Sequence, residues 1–110
     1  MPSATYEVFR QAILQQKQVV CDYDGHPREL CPVILGHTSG EERVFAYQVG
    51  GSGSKGLPPG GAWRCLTLAR VGRAALRDGP WREGSSHMRE QTCVTEVELD
   101  INIHVRGRRL

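Results

Sequence analysis

Near the C-terminal end of the chain, apolar and polar residues alternate without interruption over residues 97–105. The apolar members are Val97, Leu99, Ile101, Ile103 and Val105. A repeat of two sends successive side chains to opposite faces, as in a β-strand that is buried on one face only, whereas a helix repeats every three to four residues. The sequence therefore predicts a half-buried β-strand here and a sheet on which this strand packs.

Further strands are predicted upstream, because short apolar runs alternate with turn signals. Asp24-Gly25 and Ser39-Gly40 suit tight hairpin turns, in which the backbone adopts positive φ angles. Pro32 has no backbone N–H and therefore predicts a sheet edge or a bulge. The predicted strands cover residues 19–23, 28–35, 43–49, 63–71 and 74–76.

Residues 4–17 are predicted to form one amphipathic helix ahead of a β-rich region over 18–105. Tyr6, Phe9 and Ile13 follow the helical spacing, and Ser3 or Thr5 can cap the first turn. One helix followed by five or six short strands indicates a mainly β fold, either a small, strongly bent sheet or a barrel.

Two segments are not expected to pack into the core. Residues 50–61 consist mostly of Gly, Ser and Pro and are predicted to form a flexible loop. Residues 106–110 are predicted to be a frayed basic tail. No repeat marks a second unit, so residues 1–110 are predicted to form a single domain.

The charge is unevenly distributed and is carried mainly by arginine. Residues 1–62 carry a net charge of −1 and residues 63–110 a net charge of +3, which together give the net +2 of the chain. Twelve of the 14 basic residues are arginine, whose planar guanidinium suits phosphate and carboxylate partners. A genome rich in G and C would produce the same bias, and a net charge of +2 does not indicate nonspecific coating of DNA.

Neither a membrane span nor a secretory leader is recognisable in the sequence. No apolar run approaches the roughly 18 residues that cross a bilayer, and no basic start leads into an apolar block. These observations predict a cytoplasmic protein without a membrane partner.

The four cysteines are widely spaced, at Cys21, Cys31, Cys65 and Cys93. Structural zinc sites usually contain closely spaced pairs, so the sequence predicts four free thiols and neither a metal nor another cofactor. A metal site built from Cys21, His26 and Cys31 is the weaker alternative.

No catalytic motif is present, so the chain is not expected to be an enzyme. The glycine-rich stretch around Lys55 fails the phosphate-loop pattern, because Gly56 follows the lysine where Ser or Thr is required. No Gly-x-Ser-x-Gly elbow occurs, and the histidines lie near predicted turns or on a polar strand face.

Three arginines are candidates for binding an anion. Arg64 and Arg70 are six residues apart in an extended segment, which places them on one face. Leu66 and Leu68 would share that face, so a twist or bulge must intervene or the arginines must line a rim. If Arg28 from a separate hairpin joins them, the three form an anion site. The alternative is that each arginine pairs separately with a surface carboxylate.

The order of these residues is similar to that of a known family. The relevant residues are Tyr23, Arg28 and Pro32, then Val44-Phe45-Ala46-Tyr47, then Arg64, Leu66, Leu68 and Arg70-Val71. Residues 6–77 thus resemble a WYL domain, although the name-giving Trp-Tyr-Leu is absent and Ala69 stands where the family usually has Asp. Residues 1–17 are too short for the helix-turn-helix that many members carry upstream, so a stand-alone WYL domain is expected.

The resemblance implies a small Sm-like open β-barrel that senses a ligand in bacterial regulators. It implies ligand binding at Tyr23, Arg28, Tyr47, Arg64 and Arg70. Arginine would bind phosphate and an aromatic ring would stack on a base, so the implied ligand is a nucleotide or a single-stranded nucleic acid.

Two functions from different classes follow from the sequence. The first is a non-enzymatic sensor or regulatory module that binds a nucleotide or single-stranded nucleic acid and acts with a protein partner or as a homo-oligomer. The second is a protein-interaction or oligomerisation module that pairs its C-terminal strand with a partner sheet.

Overall fold

The fold is described by a computed structural model over residues 2–51, 61–81 and 91–105, without the side chain of His104. The elements are α1 (Ala4–Gln15), β1 (Gln18–Tyr23), β2 (His26–Thr38), β3 (Glu41–Gly51), β4 (Ala62–Thr67), β5 (Val71–Arg77) and β6 (Glu96–Asp100). A 3₁₀ turn over Leu68–Arg70 joins β4 to β5, and a π-helical turn over Ile101–Val105 follows β6.

The N-terminal helix begins where its cap residue predicts. The Oγ atom of Ser3 accepts a hydrogen bond from the backbone N–H of Tyr6 at 3.1 Å, which satisfies one of the free donors of the first turn. The helix ends before Gln16, which adopts the left-handed conformation with a φ of 52°. The helix is therefore confirmed, and it is two residues shorter than the predicted 4–17.

Both predicted hairpin turns are present. Asp24 and Gly25 have φ angles of 52° and 83°, and Ser39 and Gly40 have 52° and 82°. Two successive positive φ angles are typical of the type I′ turn, whose twist matches that of the strands it joins. These turns place β1, β2 and β3 side by side in antiparallel order.

Strand β2 is the centre of the sheet. Its first residues pair with β1, its last residues pair with β6, and β3 runs along its other side. The register shifts between Pro32 and Ile34 where β2 faces β3. The predicted bulge at Pro32 is thus confirmed, but in a central strand and not at an edge.

The six antiparallel strands form an open sheet. The order is β4-β3-β2-β1-β5, with β6 on β2, and the sheet does not close into a barrel. The helix packs across β2 with its buried residues Tyr6, Phe9 and Ile13. A mainly β fold with one N-terminal helix is therefore confirmed.

The C-terminal strand is shorter than predicted. The alternation suggested a strand up to Val105, but pairing with β2 ends at Asp100 and the chain then forms the π-helical turn. The cause is local: the backbone N–H of Asn102 donates to Oδ1 of Asp100 at 2.9 Å, and this bond replaces a ladder bond. Pairing of β1 with the same edge of β2 begins only at Leu30, beyond residues 31–33.

The prediction of four free thiols is wrong for two of them. Cys65 and Cys93 form a disulfide with a Cα–Cα distance of 5.5 Å, whereas Cys21 and Cys31 are buried and do not take part in a disulfide. Cys65 lies opposite Phe45 on β3, and Sγ of Cys93 lies 3.5 Å from the carbonyl oxygen of Val44. The pairing of β4 with β3, and the contact of Cys93 with β3, thus bring together cysteines that are 28 residues apart in sequence.

Some predicted segments lie outside the described residues. Residues 50 and 51 of the predicted loop 50–61 belong to β3, and residues 52–60 are not described. The predicted tail 106–110 is also outside the described chain. None of the helices in the described ranges is long and apolar enough to cross a membrane.

The close approach of β2 and β6 at Gly36 predicts the effect of adding a methyl group at that position. A Cβ atom at Gly36 would overlap the carbonyl oxygen of Glu96 and lie 2.8 Å from Cγ1 of Val94. Gly36→Ala should therefore lower the free energy of unfolding by about 1–3 kcal/mol, measured by urea denaturation. Gly72→Ala is the matched control, because a Cβ at Gly72 would have no atom within 4 Å. Equal effects of the two variants would contradict this packing.

The disulfide predicts a stability that depends on reductant. Closing the 28-residue separation between Cys65 and Cys93 should contribute about 2–4 kcal/mol. A reducing agent should lower the urea midpoint of the unmodified chain but not that of Cys65→Ala. Alkylation of the unfolded, unreduced chain should label two of its four cysteines; labelling of all four would show that the bond is absent.

Candidate anion-binding site

Two of the predicted arginines meet at one oxygen atom. Arg28 on β2 and Arg64 on β4 lie on either side of β3, and both donate hydrogen bonds to Oε1 of Gln48. The distances are 3.1 Å from Nη1 of Arg28 and 2.9 Å from Nε of Arg64. Residues from three strands therefore form one cluster, which we call the Gln48 cluster.

Strand alternation explains the position of this cluster. Val44, Ala46 and Gln48 follow each other on the inner face of β3, and all three are fully buried. Ala46 pairs with Arg64 on β4, so the arginine points to that same face beyond the apolar core. Nε2 of Gln48 donates to the carbonyl oxygen of Gly50 at 2.9 Å, which leaves Oε1 directed at the arginines.

Within the described residues, neither arginine of the Gln48 cluster forms an ion pair with a carboxylate, although the charge of Arg28 also acts on Asp24. Among the other arginines in the described ranges, Arg10, Arg43 and Arg77 each have an acidic partner within 3.3 Å, and Arg73 has one at 3.9 Å. No such pair involves Arg28 or Arg64 within the described ranges. The buried Nε of Arg28 also lacks a hydrogen-bond partner there, which is costly for a polar atom removed from water.

Tyr23 connects the Gln48 cluster to the third predicted arginine. The ring centroid of Tyr23 lies 5.6 Å from the guanidinium carbon of Arg28 and 5.0 Å from that of Arg70, both within cation–π range. Its hydroxyl oxygen accepts a hydrogen bond from the backbone N–H of Thr67 at 3.1 Å. Tyr23 therefore holds the end of β1 against the end of β4, next to both arginines.

Arg70 is near the cluster but is already paired. Its Nε donates to Oδ1 of Asp24 at 2.8 Å, and its Nη2 donates to Oδ2 of the same carboxylate. The hydrogen bond from Arg70 holds the pKa of the Asp24 carboxyl below its usual range. For this residue the alternative of a surface ion pair applies, because both partners are largely exposed.

The 3₁₀ turn resolves the conflict over which face the arginines occupy. Arg64 and Leu66 share the inner face of β4, and the strand ends at Thr67 before Leu68–Arg70 turn. Arg64 thus lies at the rim beyond the core, while Arg70 is carried to the β1–β2 hairpin. Residues 63–71 are therefore not one strand as predicted, but β4 followed by the turn.

Tyr47 does not join the Gln48 cluster. It lies on the opposite face of β3, where its ring contacts Trp63 edge-on with a centroid distance of 5.1 Å. Phe45 stacks on the same Trp63 at 4.7 Å, so this face carries three aromatic rings. Strand alternation places residue 47 opposite in direction to Gln48, and we therefore leave Tyr47 out of the candidate site.

Gln48 is the central residue that the sequence reading missed. The alternation of Val44, Ala46 and Gln48 could have indicated it, because Gln48 occupies the next buried position after two apolar residues. The sequence predicts Asp24 only as a turn residue. No pattern in the sequence indicates that its carboxylate also binds Arg70. In the described ranges no group of three or more His, Cys, Asp or Glu side chains is placed to hold a metal ion.

The candidate site is therefore described only by the contacts given above. Comparison with family models, with curated proteins and with solved structures finds no match to this chain.

Proposed function

We propose that this domain is a non-enzymatic ligand-sensing module of the WYL type, which binds a nucleotide or single-stranded nucleic acid through Arg28 and Arg64. The observation that carries the proposal is the convergence of both guanidinium groups on the single neutral oxygen of Gln48. In the part of the chain that the structure describes, neither guanidinium has a carboxylate within ion-pair distance, and a phosphate would supply a negative charge between them.

The hydrogen-bonding capacity of the Gln48 cluster suits a phosphate. A guanidinium carries five N–H donors, and Gln48 accepts one from each arginine. A phosphate group offers several acceptor oxygens and binds arginine in a bidentate manner. Because Gln48 already fixes both side chains, binding would cost little of the rotamer entropy that free surface arginines lose.

Tyr23 provides a surface for a base beside the phosphate. Its half-buried ring lies next to the guanidinium groups of Arg28 and Arg70. Bases stack on aromatic rings and on arginine planes, largely without regard to sequence. The combination supports a nucleotide over a simple inorganic anion.

The resolved pKa shifts in the described residues follow from burial and from neighbouring charges. Burial, aided by the neighbouring Asp22 carboxylate, raises the pKa of the Cys21 thiol to about 11, which disfavours the nucleophilic thiolate. Burial and a hydrogen bond to Glu98 raise the pKa of Tyr6. Asp24 is held ionised by Arg70. Each shift has a structural cause, and none of them activates a nucleophile.

The exposed part of the C-terminal segment favours the second candidate function. Val97 on β6 and Ile103 on the π-helical turn are 45% and 48% exposed. β6 has only five residues, however, and so offers a short edge for pairing with a partner sheet. We therefore keep the interaction module as the alternative.

Removing either arginine should weaken nucleotide binding. Arg28→Ala and Arg64→Ala each delete a charge-assisted contact of about 1.5–3 kcal/mol, which corresponds to roughly tenfold to hundredfold in Kd. Calorimetric titration with adenosine monophosphate measures the change. Arg10→Ala is the control, because it removes the same charge from the exposed helix face. If all three variants bind alike, the Gln48 cluster is not the binding site.

The dependence on salt should separate the two candidate functions. Binding through arginines and phosphates should weaken steadily as salt rises from about 50 to about 200 mM, because counterions are released on binding. Apolar strand pairing should be insensitive to salt over this range. Sedimentation and calorimetry at both concentrations test this; self-association that is independent of salt, without nucleotide binding, would favour the interaction module.

A further inference from the structure

The Cys65–Cys93 disulfide joins one exposed residue to one buried residue. Cys65 is exposed and lies on β4, which forms one end of the described sheet. Cys93 is 6% exposed, and its Sγ lies 3.5 Å from the carbonyl oxygen of Val44 on β3. A reagent in solution therefore reaches the two ends of the bond unequally. Access to one sulfur is a main determinant of which disulfides exchange with thiols, and of the sulfur that is attacked.

Each cysteine lies on a segment that is held in place by other contacts. β4 pairs with β3 along its whole length, and the backbone N–H of Thr67 donates to the hydroxyl oxygen of Tyr23 at 3.1 Å. On the other side, Oγ1 of Thr38 donates to the carbonyl oxygen of Cys93 at 2.7 Å, and Val94 is buried. Because neither segment depends on the disulfide alone, the two sulfurs should stay close after reduction, and the bond can form again.

The other two cysteines are shielded from solvent. Cys21 is 6% exposed and Cys31 is fully buried, and neither takes part in the disulfide. All four cysteines lie in the described ranges, and Cys65 alone among them is exposed. Since exchange requires contact between the reagent and a sulfur atom, the structure directs this chemistry to one residue.

We propose that Cys65 is a site of reversible thiolation, at which the disulfide exchanges with a low-molecular-weight thiol. The incoming thiolate attacks Sγ of Cys65, so that a new S–S bond forms there and the bond to Cys93 breaks. The electron pair leaves with Sγ of Cys93, which takes up the proton that the incoming thiol released to water. As a thiol, it can donate to the carbonyl oxygen of Val44. A second thiol then displaces the first from Cys65, so two thiols become one disulfide while the protein disulfide becomes two thiols.

The exchange site and the Gln48 cluster lie on opposite faces of β4. Cys65 pairs with Phe45, whereas Arg64 pairs with Ala46 on the inner face. The inference therefore goes beyond the proposed function and does not rest on it. Each can fail alone, because thiolation is read from the mass of the chain and ligand binding from calorimetry.

Reduced glutathione is the probe, and the unmodified chain is the first test. After brief exposure of the folded chain and an acid quench, peptide mass mapping should find glutathione on Cys65 and a thiol on Cys93. Longer exposure should reduce both cysteines while circular dichroism stays β-rich, and transfer to oxidised glutathione should restore the bond. Glutathione on Cys93, or reaction only after unfolding in urea, would overturn the proposal.

Two variants give a matched comparison. Cys93→Ala leaves the thiol of Cys65, and oxidised glutathione should add one glutathione per folded chain at that residue. Cys65→Ala leaves the buried thiol of Cys93, and addition there should be slower by roughly tenfold or more, because it requires local opening of the fold. Equal rates in two folded variants, or attachment to Cys21 or Cys31 as fast as to Cys65, would contradict the assignment. If a variant does not fold, the mapping on the unmodified chain decides.

Discussion

Strand β2 is the constraint on which the rest of the structure depends. It pairs with β3 along one side, and along the other it pairs first with β1 and then with β6. Its residues from Leu30 to Gly36 are buried, so it functions as a central strand despite Pro32. The bulge that follows this proline accommodates the missing donor and bends the strand. β1 and β6 share this second edge, and β6 ends at Asp100, where the hydrogen bond from Asn102 replaces the ladder.

The same constraint creates the site. Arg28 lies near the start of β2, just before the buried apolar residues of that strand begin. Gln48 on β3 pairs with Leu30, which places its side chain within hydrogen-bond distance of Arg28. A buried amide oxygen can accept hydrogen bonds from two guanidinium groups without neutralising their positive charges. A carboxylate at this position would instead form an internal ion pair. The neighbouring Arg70 shows that second outcome, since Asp24 already binds it. The arrangement separates Arg70, which pairs with Asp24 at the hairpin, from Arg28 and Arg64, to which we assign ligand binding in the proposed function.

Much of the fold could be predicted because its signals are local. Asp24-Gly25 and Ser39-Gly40 specify their turns, and Ser3 specifies the start of the helix. The disulfide and the end of β6 could not be predicted, because both depend on which strands become neighbours. For the site, Arg28 and Arg64 were candidates from their strand positions, and Tyr23 was added by the resemblance. These three lie close together, but Tyr47, also added by the resemblance, faces the other way. Gln48 was missed because it is the one polar residue in the alternating series Val44, Ala46, Gln48. A polar residue in that position normally indicates that the buried part of the strand has ended.

The central claim is that Gln48 gathers Arg28 and Arg64 at one neutral oxygen, with no ion pair to either arginine among the described residues. Gln48→Glu tests it most directly, because it changes the shape of the side chain little and places a carboxylate between Arg28 and Arg64. The measurement is the affinity for adenosine monophosphate at low salt, with circular dichroism to confirm the β-rich fold. We expect the affinity to fall by at least the roughly tenfold expected for loss of one arginine, since an internal anion now competes for both guanidinium groups. A folded Gln48→Glu protein that binds adenosine monophosphate as tightly as the unmodified chain would contradict the account.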